Sequence, residues 1–141
     1  MSSHVEKWIC QLMTGLDEHV DKETIAKVLE QCGRQCQSQS LIKKARNIYE
    51  KSKNVDDFLD NFGKVYKHLH REGNSLYIVY PRCYCSIVNK IPSGKLSATY
   101  CNCSRGWAKA LFEGALERPV EVTMEQSIKQ GDKQCKFRIT L

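Results

Sequence analysis

The sequence predicts an α+β fold, with N-terminal helices packed on an antiparallel sheet and one helix inserted in the sheet half. Three observations predict it. Apolar residues recur at helical spacing up to about residue 72. After Gly73 the period falls to two, and one further helical stripe, Trp107 to Leu116, interrupts the second half. The length, 141 residues, suits a single domain over 1–141, with a helical half (1–72) and a cysteine-rich, β-rich half (73–141). A content of 41% hydrophobic and 27% charged residues excludes disorder, coiled coil and collagen-like classes.

In order, Val5, Trp8, Ile9, Leu12, Met13 and Leu16 form the first helical stripe, and Ser3 with Glu6 makes a capping box. Ile25, Val28, Leu29, Cys32 and Cys36 form the second, behind Asp21. Leu41, Ile42, Ala45, Ile48 and Tyr49 form the third. The fourth runs from Val55 to Leu69, capped by Asn54. Each stripe needs a partner surface, because burying it stabilises a helix of this length. Ser75–Tyr80 is rich in β formers, and residues 83–89 and 97–103 are expected as strands flanking a Pro92-Ser93-Gly94 turn. Ser104 is expected to cap a fifth helix that Arg118-Pro119 ends. Val120, Val122 and Met124, then Cys135, Phe137, Ile139 and Leu141, alternate with polar residues on either side of a Gly131-Asp132 turn.

The formal charge is +6, unevenly placed: 12 basic and 11 acidic residues in 1–72, but 10 and 5 in 73–141. That bias favours a small anionic ligand over nucleic acid, since there is no basic run. No apolar run is long enough to span a bilayer, and the N-terminus lacks a signal-peptide pattern, so a cytoplasmic location and no membrane partner are expected. In a reducing cytosol, eight cysteines point to metal or thiol chemistry rather than disulfides.

Six cysteines stand out by position: Cys83, Cys85, Cys101, Cys103, Cys135 and Cys36. Cys32 and Cys36 continue an apolar stripe, and with Cys10 are expected as helical core. Along a strand, residues two apart share a face. With a three-residue Pro92-Ser93-Gly94 loop, Cys85 would lie opposite Cys101 and Cys83 opposite Cys103, giving four thiols on one face. A two-residue Ser93-Gly94 turn would put the pairs on opposite faces, and a bulge would also break the pattern. Such a patch suits Zn²⁺ first and an iron–sulfur cluster second. Cβ atoms about 6–7 Å apart along a strand converge poorly, so three of these thiols plus Cys135 serve as well. The favoured metal ligands are Cys101, Cys103 and Cys135, with Cys85 and then Cys83 next.

Cys103, just before a helix with Arg105 beside it, is the candidate for a lowered thiol pKa and a nucleophilic role. Tyr84, Tyr100, Arg105 and Trp107 are candidate ligand-binding residues, and Tyr77 and Tyr80 could join them in an apolar cavity. His68, His70, His4 and His19 are expected on solvated surface. There is no G-x-G-x-x-G, P-loop or H-E-x-x-H motif.

The stretch Cys101-Asn102-Cys103-Ser104-Arg105-Gly106-Trp107 through Gly131-Asp132-Lys133-Gln134-Cys135-Lys136-Phe137 resembles the 4-vinyl-reductase-type small-molecule-binding domain. The resemblance covers about 60 residues and implies a ligand-binding module whose structural zinc is held by three Cys and one Glu. Its first zinc cysteine falls on Cys101 and its last on Cys135. Its Glu falls on Met124 and its middle Cys on Ser127, so Cys103, Cys85 or Cys83 would have to complete the set. The whole chain is similar to short, cysteine-rich, uncharacterised prokaryotic proteins sharing CYC…YCxCSxGW…GxxxCxF, some of them reminiscent of thiazoline-carboxylate hydrolases. Three functional readings follow. The first is a small-ligand-binding module with thiolate-bound zinc. The second is a thiol-dependent hydrolase or redox enzyme using Cys103. The third is an interaction protein whose apolar helices form a homodimer.

Overall fold

Four capped helices fill the first half of the computed structural model, which describes residues 3–141. Helix α1 is His4–His19, started by the expected reciprocal capping box of Ser3 and Glu6. Helix α2 is Lys22–Cys36, α3 Gln39–Glu50 and α4 Val55–Val65. Their first free N–H groups are met by Asp21, Ser38 and Asn54 respectively. Strand β1 is Leu69–Glu72 and β2 Ser75–Tyr80, joined by a turn in which Gly73 takes φ 61°. Helix α5 is Asn102–Leu116, followed by β3 (Glu121–Gln126) and β4 (Cys135–Thr140). The sheet runs β1-β2-β4-β3, antiparallel throughout. The fold is α+β, as the two periodicities predict.

One face of the sheet meets α3, α4 and α5. Leu76, Ile78, Val122, Phe137 and Ile139 pack there with Phe58, Phe62, Leu111 and Phe112. A second, smaller core joins Met13 of α1 and Ile25 and Leu29 of α2 to Val88, Ile91 and Leu96 from the segment after β2. Helix α1 buries only one flank of its stripe: Met13 is buried, whereas Val5, Trp8 and Leu12 stay exposed.

Several expectations need correcting. Residues 83–89 and 97–103 are not a hairpin. The first stretch folds as consecutive turns, closed by Val88 and Asn89 N–H groups on the Cys85 carbonyl (3.1 and 2.7 Å) and by Ile91 N–H on the Val88 carbonyl (3.0 Å). The second becomes a 3-10 turn, Ala98–Cys101, that runs straight into α5. Val88, Ile91 and Leu96 are spaced too irregularly for a strand face, and they bury against α1 and α2 instead. The turn itself is present: Lys95 N–H bonds the Pro92 carbonyl (3.1 Å) and Gly94 takes φ 86°. Helix α5 starts at Asn102, so Ser104 lies inside it and is not its cap. Strand pairing begins at Leu69, before Gly73. Leu141 lies beyond β4 and is exposed.

Helix α2 is also rotated relative to its expected stripe. Ile25, Leu29, Gly33 and Gln37 face inward at steps of four, while Val28, Cys32 and Cys36 are exposed. The cause is a close backbone approach to α5. A Cβ on Gly33 would collide with the Cys103 carbonyl, and one on Gly106 with the Glu30 carbonyl. Two glycines let the helices touch, and contact on that face turns Cys32 and Cys36 outward.

Candidate thiol site

Seven cysteines gather where four pieces of chain meet. Cys83 and Cys85 lie in the turns after β2, and Cys101 ends the 3-10 turn. Cys103 is in the first turn of α5, and Cys135 opens β4 beside Tyr80 of β2. Cys32 and Cys36 lie near the end of α2. Cys10 is half-buried against the second core. In a helical turn, residues two apart differ by about 200° in direction, so Cys101 and Cys103 diverge and the thiols fall into two groups.

The first group is Cys101, Cys135 and Cys83. Burial pushes the Cys101 thiol up to about 11, and neighbouring Cys135 and Cys83 add to the rise. Cys135 is likewise raised, by burial first and then by Cys83. Polar groups aimed at these sulfurs oppose that trend. Ser127, fully buried, donates its hydroxyl to Cys101 Sγ at 3.1 Å, and Ile128 N–H donates to Cys135 Sγ at 3.5 Å. Ser127 Oγ also accepts from Lys129 N–H (3.2 Å). Lys129 is only 4% exposed, its Nζ donates to the Ile91 carbonyl, and its charge lowers the pKa of both Cys101 and Cys135. Among the described residues no carboxylate forms an ion pair with it.

The second group is Cys103, Cys36, Cys85 and Cys32. Burial under α2 pushes the Cys103 thiol up to about 12, and Cys36, Cys85, Cys32 and, across to the first group, Cys101 add to the rise in that order. The expected lowering is therefore corrected to a rise: desolvation and neighbouring sulfurs outweigh the helix dipole. Arg105 does not help, because its guanidinium is turned to the Val122 carbonyl (2.9 Å), Asn102 (3.1 Å) and Glu30 (3.2 Å). Tyr100 joins this group through its Oη, 3.5 Å from Cys85 Sγ. As the side chains stand, no three His, Cys, Asp or Glu among the described residues converge closely enough to hold a metal ion.

An aromatic group adjoins the first set of thiols. Tyr66 and Tyr80 share a hydrogen bond (2.8 Å), and Tyr80 packs on His68 (4.8 Å), Tyr84 (5.8 Å) and Trp107 (6.5 Å between rings). Arg82 lies over the Tyr84 ring (4.6 Å). His68 thus departs from the expected solvated surface, and burial lowers its pKa; His4, His19 and His70 are exposed as expected. Of the candidate ligand-binding residues, Tyr84 and Trp107 each pack on Tyr80 here, whereas Tyr100 belongs to the second thiol group. Arg105 lines a separate groove of about 580 Å³ with Lys22, Thr99, Asn102 and Gln130. Tyr77 points to the other sheet face, under Lys136 and Arg138.

Sequence reasoning missed Lys129 and the α2–α5 backbone approach at Gly33 and Gly106, and it met Ser127 only as a position where the resemblance expects a cysteine. For the glycines a signal existed, since Gly33 continues the four-residue step of Ile25 and Leu29. For Lys129 there was none, because a lysine in a polar stretch reads as solvated.

No helix among the described residues is long and apolar enough to cross a membrane. Comparison with curated proteins yields no match. Residues 1–141 match the family described as "Family of unknown function (DUF6144)", and the chain belongs to that family.

Proposed function

We propose that this member of the DUF6144 family is a cytoplasmic small-ligand-binding module built round a thiolate-bound zinc ion, held by Cys101, Cys135 and Cys83. The observation that carries the reading is the buried Lys129 ammonium beside Cys101 and Cys135, with no carboxylate paired to it among the described residues. A buried cation needs a buried anion, and the sulfurs are the groups to which Ser127 and Ile128 also donate. Burial alone favours the neutral thiols, but a divalent ion reverses that balance by holding them as thiolates. Three thiolates on Zn²⁺ leave one negative charge, which Lys129 offsets. Three protein ligands also leave the fourth position open.

The 4-vinyl-reductase-type resemblance supports the same reading, since it puts zinc cysteines at Cys101 and Cys135. A small planar or anionic ligand would lie against Tyr84 and Trp107, next to the zinc through the neighbouring Tyr80 and Cys135, with Arg82 above Tyr84. The alternative, a thiol enzyme using Cys103, lacks such support, because that thiol is pushed up to about 12.

The test is elemental analysis after anaerobic purification, with a visible spectrum to reveal an iron–sulfur cluster instead. Zinc that survives a chelator wash and is lost in Cys101→Ser and Cys135→Ser variants, with circular dichroism unchanged, is the expected result. Metal below about a tenth of an equivalent, with all eight thiols open to a thiol reagent, would overturn the reading.

A further inference from the structure

We infer that α1 pairs antiparallel with the α1 of a second copy of this chain, its exposed apolar stripe forming a homodimer interface separate from the thiol groups. Helix α1 buries Met13 in the second core, with Ile9 and Leu16 packed against that core. Val5, Trp8 and Leu12 continue the apolar surface outward and stay 58%, 60% and 42% exposed. They are spaced i, i+3 and i+7, and Gly15 follows at i+10, so the four form one seam along the helix. An exposed tryptophan in the middle of such a seam is the residue type that most often anchors an interface. Burying the seam would give α1 the partner surface on its outer flank that α3, α4 and α5 already have on the sheet.

The occupant is a second copy because the seam is complementary to itself when reversed, as a two-fold interface requires. Trp8 is its large projection. A Cβ on Gly15 would meet nothing within 4 Å, so the seam is open one turn beyond Leu12. A two-fold axis between Gln11 and Leu12 sets each Trp8 against the partner's Gly15. The charges agree with this register. Lys7 and Glu18 lie about three turns apart, so they share one flank of the seam, and both are exposed. Among the described residues Lys7 forms no ion pair, and Glu18 meets only the adjacent His19, at 3.9 Å. The same axis brings each Lys7 within one turn of the partner's Glu18 and opposes the two helix dipoles. A parallel pair would instead set Trp8 on Trp8 and like charges together. Helix α1 has 16 residues, about 24 Å, and one such helix pair buries less than the roughly 1,200–2,000 Å² of a standard stable interface. The dimer should therefore dissociate at micromolar or higher concentration.

The experiment is sedimentation equilibrium of the full chain, kept reduced so that no disulfide links two copies, from about 1 μM to about 1 mM. Wild type should pass from monomer to dimer over that range. Trp8→Glu, altered at an exposed position, should keep its circular dichroism and weaken the dimer by about 30-fold or more. Lys7→Glu and Glu18→Lys should each weaken self-association. An equimolar mixture of those two variants should restore it, since both contacts across the axis then join opposite charges. The same results are expected with a chelator present, so the zinc reading can fail while this one stands. A wild-type chain that stays monomeric throughout overturns the inference, as does a dimer that Trp8→Glu leaves intact. A mixture no tighter than either charge variant alone overturns the antiparallel pairing.

Discussion

Cys101 and Cys103 are two residues apart, yet their thiols live in opposite surroundings. Cys101 is buried beside Lys129, with the Ser127 hydroxyl on its sulfur. Cys103 has other sulfurs and Tyr100 for neighbours, and the exposed thiols of α2 beside it. The difference follows from the backbone. In a strand the two side chains would share a face, whereas at the entry to a helix they diverge. One C-x-C pair thereby serves two groups, one built round a buried cation and one round a helix crossing.

The largest expected effect comes from breaking the α2–α5 crossing against which the second group lies. Gly106→Ala forces a methyl into the Glu30 carbonyl and should cost about 3 kcal/mol, read as a lower denaturant midpoint. A change under about 0.5 kcal/mol would show that the close approach is dispensable.

The next effect is one of pH. Cys101, Cys103 and Cys135 are all raised in the folded, metal-free protein. The folded state therefore holds these protons more tightly than the unfolded chain, whose thiols titrate near about 8.5. The stability involved is fully present below that value and is lost as pH rises toward about 11 for Cys101 and about 12 for Cys103. Metal-free protein should destabilise progressively above about pH 9, and Cys103→Ala should flatten that slope. A profile level to pH 11, near the Cys101 value, would contradict the burial of these thiols.

Lys129→Met separates the groups more finely. It removes the cation beside Cys101 and Cys135 while keeping an unbranched side chain, and should weaken zinc at the first group by about 10–100-fold. The alkylation rate of Cys103, in the second group, should be unchanged. An equal change at both groups would mean that Lys129 acts through folding alone. The smallest effect tests the aromatic group beside the first thiols. Tyr66→Phe breaks the bond to Tyr80 and should cost about 1 kcal/mol, with zinc uptake unaltered.

Much of the fold was legible in the sequence. Ser3 with Glu6, Asp21 and Asn54 mark helix starts because their side chains meet N–H groups that the helix leaves unpaired. Alternation from Val120 to Met124 and from Cys135 to Ile139 marks strands buried on one face. Residues 83–103 misled because β-forming composition is a weak guide where tertiary packing decides. Val88, Ile91 and Leu96 found a core on α1 and α2, and Ala98–Cys101 was absorbed into a helix entry. The candidate site was half legible. All five of its predicted cysteines lie at the junction, but the register that was meant to unite them does not exist. Cys32 and Cys36 left the core because a glycine contact, invisible to hydrophobic periodicity, set the face of α2.

The central claim is that sulfur holds a metal here, and X-ray absorption at the zinc edge of the intact, anaerobically purified protein tests it most directly. The account predicts a first shell dominated by sulfur at about 2.3 Å, diminished in Cys101→Ser. A shell of nitrogen and oxygen at about 2.0–2.1 Å, unchanged by that substitution, would contradict it.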